Sequence, residues 1–142
     1  MAAIINLEAD KRVPFLDEDG ATWVFFLEDW SDAAFAMHIR ANPGDTGTPV
    51  VSLAGATAGT QGISCTYVTD YTFTDPETGE GVTGVASKVL CQINEATLEA
   101  IALGTPADKP IELFYDLHAT PSGGVKRIAV EGRFTIKPGV TV

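Results

Sequence analysis

The sequence predicts an all-β fold: an Ig-like or fibronectin-like antiparallel β-sandwich with one short helix. Three observations carry this. Apolar residues recur at every second position in several segments, the pattern of half-buried strands. Segments such as "ANPGDTGTP", "DPETGEG" and "TPSGG" separate them with turn chemistry. Only "NEATLEAIAL" has the spacing of a helix. A small barrel is the alternative closure of the same strands.

The chain of 142 residues suits a single domain spanning 1–142, long enough to bury a core without staples. Residues 1–12 read as an N-terminal arm with a short apolar start from Ala3 to Glu8. "WVFFL" (Trp23 to Leu27) is the next strong run. Phe35, Met37 and Ile39 then alternate with Ala34, Ala36, His38 and Arg40 in a half-buried strand, and "VVSL" resumes the pattern after the Pro-Gly loop.

The middle is the most regular part. Ile63, Cys65, Tyr67, Thr69, Tyr71 and Phe73 are expected on one face, and Val85, Val89, Cys91 and Ile93 return beside them. Residues 66–84 form an extended hairpin. If Asp75 pairs with Gly81, Cys65 falls opposite Cys91, both facing inward and reduced. Two cysteines make neither a disulfide framework nor a Cys-x-x-Cys metal motif.

In "NEATLEAIAL", Asn94 is positioned to cap the first turn by accepting a backbone N–H bond. Leu98 and Ile101 share one side, and "GTPADKP" ends the helix within two turns. In the closing hairpin, Ile111, Leu113, Tyr115 and Leu117 face inward, as do Ile128, Val130, Phe134 and Ile136. One register consistent with this places Asp116 opposite Arg127 on the outer face. Gly132 is the expected bulge.

Nine basic against nineteen acidic residues give a net charge of −10. Phosphate binding needs clustered Lys and Arg, so nucleic acid is not the expected partner. The acidity serves solubility or matches a basic protein surface. No apolar run approaches the roughly 20 residues of a membrane-spanning helix. "MAAIINLEADKR" is too short and mixed for a signal peptide, so the chain is expected to be made in, and at first kept in, the cytoplasm.

Chemistry has little to stand on. His38 and His118 fall on outward strand faces. There is no Gly-x-Ser-x-Gly elbow and no phosphate-cradling glycine loop. "LDEDGATW", with Asp17, Glu18, Asp19 and Gly20, lacks the spaced ligands and closing Glu of a calcium loop. Asp75, Glu77 and Glu80 read as a polar hairpin tip. Paired carboxylates for glycoside hydrolysis are available by number, but nothing selects two of them. No catalytic, cofactor-binding or metal-ligating residue is assigned, and the chain is not expected to be an enzyme. Trp23 reads as core. Trp30, in "EDWSD", reads either as an indole over the end of the sandwich or as an exposed anchor for a protein or a sugar.

The order of motifs adds a resemblance. "WSDAAFAMHIR", an alternating strand ending in Arg40 before a Pro-Gly loop, resembles the "LTGATFRMQVR" type strand of a widespread family of phage and prophage β-sandwich proteins encoded among tail and virion genes. That family continues with a short Ala/Leu-rich helix and a "YDL" strand, here Tyr115-Asp116-Leu117. A Gly turn (Gly123-Gly124), an Arg-bearing strand (Arg127), Gly132, an alternating strand with Phe134 and Ile136, and a "PxVT" end (Pro138 to Thr141) follow. The resemblance covers roughly residues 15–142, and the hairpin around "YTFTDPETGEGVTG" is longer than the family pattern.

The resemblance implies a bacteriophage virion structural protein of the tail, tail tip or fibre-attachment region, without catalytic residues. It implies assembly in the bacterial host cytoplasm with other virion proteins, as a homo-oligomer in the particle; on charge and hydropathy no nucleic acid or membrane is expected, and no cofactor is assigned. A carbohydrate- or receptor-binding module at the tail tip and a capsid decoration or neck protein are the alternatives. "AAIINLEA" and "TIKPGVTV" are short apolar segments suited to pairing with a neighbour, so loss of Met1 to Glu8 is expected to weaken assembly more than folding.

Overall fold

A computed structural model describes residues 3–10, 14–15, 22–44, 47–57, 59–101 and 110–137. Among these, nine strands and one helix follow in order: β1 (Ala3–Ile4), β2 (Leu7–Asp10), β3 (Thr22–Phe26), β4 (Ala34–Arg40), β5 (Val51–Ala54), β6 (Gly62–Thr74), β7 (Gly81–Gln92), α1 (Glu95–Ala100), β8 (Ile111–Thr120) and β9 (Arg127–Lys137). They form a six-stranded sheet, β1-β9-β8-β4-β5 with β2 also on β9, and a three-stranded sheet, β3-β7-β6.

The alternation read in the sequence puts the core between these sheets. Phe35, Met37 and Ile39 of β4 are buried, as are Leu113, Tyr115, Leu117 and Ala119 of β8. Trp23, Ile63, Val89 and Cys91 face them from the smaller sheet. Trp23 stacks on Tyr115 at 6.4 Å, and Cys91 Sγ lies 3.6 Å from Met37 Sδ. Full burial of each large apolar side chain contributes about 1.5–3 kcal/mol.

The larger sheet is not antiparallel throughout. β1 and β2 run parallel to β9, with Ala3 beside Val130 and Leu7 beside Phe134. A parallel pair needs a long crossover, and the whole intervening chain supplies it. The segment read as an arm therefore forms a sheet edge, with Leu7 and Ala9 buried. Tyr115 Oη donates to the Ile5 carbonyl at 2.7 Å, and Arg133 N–H donates to Asn6 Oδ1 at 3.0 Å.

Gly132 sits where the β1–β2 link crosses β9. A Cβ there would collide with the Ile5 carbonyl oxygen and lie 2.9 Å from its carbon. Close backbone approach, not a bulge, explains this glycine. The bulge of the closing hairpin lies nearby. Leu117 pairs with Val130 but His118 pairs with Ile128, so Ala129 is the extra residue. Ala129 turns inward and Ile128 is left 41% exposed, contrary to its expected inward place. The observed register also corrects the expected pairing of Asp116 with Arg127: the hairpin turn and the bulge together set the strands four residues away from that alignment at Asp116. Asp116 stands opposite Glu131, and Arg127 reaches Glu28 at 2.7 Å.

α1 begins after Asn94, but the Asn94 side chain makes no capping bond. It accepts from Gln92 Nε2 at 2.9 Å. Gln61 Oε1 instead accepts from Asn94 N–H and Thr97 Oγ1, at 2.8 and 2.7 Å. Leu98 and Ile101 are buried on one side, as their spacing predicts.

Candidate interaction surface

The β6–β7 hairpin is the feature that most departs from a plain sandwich. β3 covers β7 only from Ala86 to Leu90, plus one bond from Leu27 N–H to the Val85 carbonyl. Below that point β6 and β7 continue as a two-stranded ribbon, pairing Tyr71 with Gly84 through Thr74 with Gly81. Four such pairs run about 13 Å at about 3.3 Å per residue. The turn is polar, as read: Asp75 Oδ1 accepts from Glu77 N–H at 2.8 Å, and Gly79 takes a positive φ of 74°.

A second bulge decides what the ribbon displays. Val68 pairs with Ala86 and Tyr71 with Gly84, so β6 carries one extra residue. One extra residue sends every later side chain to the opposite face. Tyr71 and Phe73 therefore leave the face of Ile63, Cys65 and Tyr67, against the simple alternation. They join Phe26 on the outside of the smaller sheet: Phe26 and Phe73 meet edge to face at 4.7 Å, and Phe26 and Tyr71 at 6.4 Å. Lys88 Nζ lies over the Tyr71 ring at 5.7 Å. Gly84 leaves room for this cluster, since a Cβ there would come within 2.9 Å of Phe26 Cζ.

Leu27 borders the cluster. It is 68% exposed and adopts a left-handed φ of 67°, the only non-glycine among the described residues to do so. That conformation costs a leucine roughly 1–2 kcal/mol. Val24 is exposed on the same side of β3. Beside this apolar face, the outer edge of β6 pairs with no strand beyond the single bridge from Gly55 to Ile63 among the described residues. An open strand edge presents unpaired N–H and C=O groups to any extended partner.

The cysteine pairing differs from expectation by two residues: Thr74, not Asp75, stands opposite Gly81, and the bulge adds the second. Cys65 stands opposite Val89, and Cys91 opposite Ile63. Both thiols are free. Burial pushes the Cys91 thiol up to about 12 and the Cys65 thiol up as well.

Trp30 is not an exposed anchor. It is 3% exposed, packed against Phe25 at 4.5 Å and Phe35 at 6.3 Å. The Arg127 guanidinium covers its ring at 5.2 Å. Buried Ser87 fixes the segment: its Oγ accepts from Trp30 N–H at 2.9 Å and donates to the Glu28 carbonyl at 2.8 Å. The indole N–H groups of Trp23 and Trp30 are buried without a partner among the described residues.

His38 and His118 lie together on the outer face of the larger sheet, ring centroids 6.2 Å apart, with His118 Nε2 3.3 Å from Asp116. Among the described residues, no three His, Cys, Asp or Glu side chains come together as a metal site, and no helix is long and apolar enough to cross a membrane. The acidic stretch Asp17 to Gly20 and the Pro138 to Thr141 end lie outside the described residues. Neither a protein-family model nor a curated protein matches the chain.

Proposed function

We propose that the chain is a structural subunit of a bacteriophage virion, associated with the tail, and that it works by protein–protein assembly through the β6–β7 ribbon. The observation that carries the assembly reading is the ribbon itself: an aromatic cluster turned outward by a bulge, next to an unpaired strand edge. The ordered motifs quoted above support the phage assignment. Leu27 supports the assembly reading, because a strained, exposed leucine beside an apolar face is a feature that folding alone does not favour.

Immunogold electron microscopy on particles from a producing culture tests the placement. Label on the tail is the expected result. Label on the head moves the protein to capsid decoration or the neck. Unlabelled particles beside abundant free protein, with the same result after mild disruption to expose covered epitopes, overturn the virion reading.

The ribbon is tested by Leu27→Asn combined with Phe73→Ser. Asn tolerates the left-handed conformation, so thermal stability stays within a few degrees while incorporation into particles falls at least tenfold. Normal incorporation of a folded double variant would remove the ribbon from the assembly.

A further inference from the structure

The outer face of the larger sheet carries a second feature, independent of the ribbon. A groove of about 680 Å³ opens there, within the usual size range of small-ligand sites. Its floor follows from strand register. Arg40, Phe114 and Arg133 form one row across β4, β8 and β9, and His38, Asp116 and Glu131 form the next. Rows two residues apart on a strand lie roughly 7 Å from each other. Exposed Ile4 of β1 and Asn6 of the β1–β2 link rise along one wall, and the Asn42–Gly44 loop forms the other.

The chemistry of the groove is specific in three respects. Phe114 offers a half-buried aromatic ring between Arg40 and Arg133, with exposed Ile4 on the adjoining wall. Donors and acceptors flank it within one strand spacing. Charge is nearly balanced, with two guanidiniums against the carboxylates of Glu112, Asp116 and Glu131. Part of this set is already engaged: Arg133 lies 3.7 Å from Glu112, Arg40 Nη1 donates to the Gly47 carbonyl at 2.9 Å, and Asp116 meets His118. Glu131 makes no ion pair or side-chain hydrogen bond among the described residues. It stands directly opposite Asp116, and like charges so placed are unfavourable unless something lies between them.

We infer that this groove binds a neutral oligosaccharide. The ring of Phe114 would take the C–H face of one sugar, as aromatic side chains with polar neighbours do. Asp116 and Glu131 would accept from its hydroxyls, and Arg40 and Arg133 would donate to them. A polyanion is disfavoured by three local carboxylates and a net chain charge of −10. The aromatic that sequence reading offered for such a role, Trp30, is buried; Phe114 takes its place on a different sheet.

The test uses the full chain on an array of neutral, amino, uronic-acid and sulfated oligosaccharides, followed by amide NMR titration with the best neutral glycan. Shifts confined to residues 38–40, 112–116 and 131–133 are expected. Phe114→Leu keeps an apolar side chain without the flat ring and should weaken binding at least tenfold. Phe114→Tyr should retain it, and Asp116→Asn should weaken it severalfold with the fold unchanged by circular dichroism. Three outcomes overturn the inference: no neutral glycan retained at millimolar concentration, retention only of acidic or sulfated glycans, or shifts elsewhere that Phe114→Leu leaves intact. Loss of glycan binding would leave the ribbon's part in assembly untouched.

Discussion

At the scale of single residues, backbone proximity and burial set the sharpest constraints. Gly132 and Gly123 illustrate the difference. Gly123 has a positive φ of 72° with open space around it. Gly123→Ala should therefore cost only the left-handed strain, about 1 kcal/mol. At Gly132 the obstacle is the Ile5 backbone, which cannot move without unpairing β1 from β9. Gly132→Ala should cost about 2 kcal/mol or more, and urea unfolding of the two variants side by side checks the order.

Titration gives a second expectation. The folded Cys91 thiol titrates near 12 against an ordinary 9.0, because burial disfavours the thiolate. Tyr115 is likewise raised above its ordinary 10.0, first by burial and then by the neighbouring Cys91. The native state thus holds protons that the unfolded state releases, and stability must fall as pH rises. The contribution of these two groups should be constant below pH 9, then decline from 9 towards 12. Cys91→Ser and Tyr115→Phe should each flatten that decline in melting temperature against pH.

At the scale of elements, the strands were legible and their slips were not. Met37, Ile39, Leu113, Tyr115 and Leu117 lie where alternation puts them, because period two survives wherever pairing is uninterrupted. Each bulge inserts one residue and inverts everything beyond it. This is why Phe73, Tyr71 and Ile128 changed faces; Cys65 missed Cys91 through the bulge together with a turn in which Thr74, not Asp75, meets Gly81. No residue in "YVTDYTF" or "RIAVEG" announces the insertion. Trp30 misled for a different reason. Its charged neighbours suggested water, but Arg127, ninety-seven residues away, lies over the ring. The aromatic face on the ribbon and the groove around Phe114 were likewise invisible until register was known.

The N-terminal segment carries a prediction at this scale. β2 lends the core Leu7 and Ala9, and the β1–β2 link satisfies Tyr115 Oη. Deleting Met1 to Glu8 removes one large buried side chain and several ladder bonds. The expected result is a loss of several kcal/mol, seen as a lower urea midpoint in the isolated protein. An unchanged midpoint would restore the segment to the role of a detachable arm.

At the scale of the whole molecule, the two sheets present different outward chemistries. The smaller one shows aromatic rings and an open edge; the larger shows a mixed-charge groove. The core between them is continuous, from Phe15 against Phe134 at 5.2 Å to Trp30 against Phe35. Each outer face can therefore change without repacking the other.

The parallel pairing of β1 and β2 with β9 has a consequence in time. Asn6 and Arg133 are separated by 127 residues. On the ribosome the first strands emerge long before their partner exists. Until β9 arrives, Leu7 and the edge of β8 remain without cover. Closure of the larger sheet is thus a late, long-range event, the kind that slows folding and leaves strand edges open to wrong partners. Nascent chains of this protein should need protection up to the final strand.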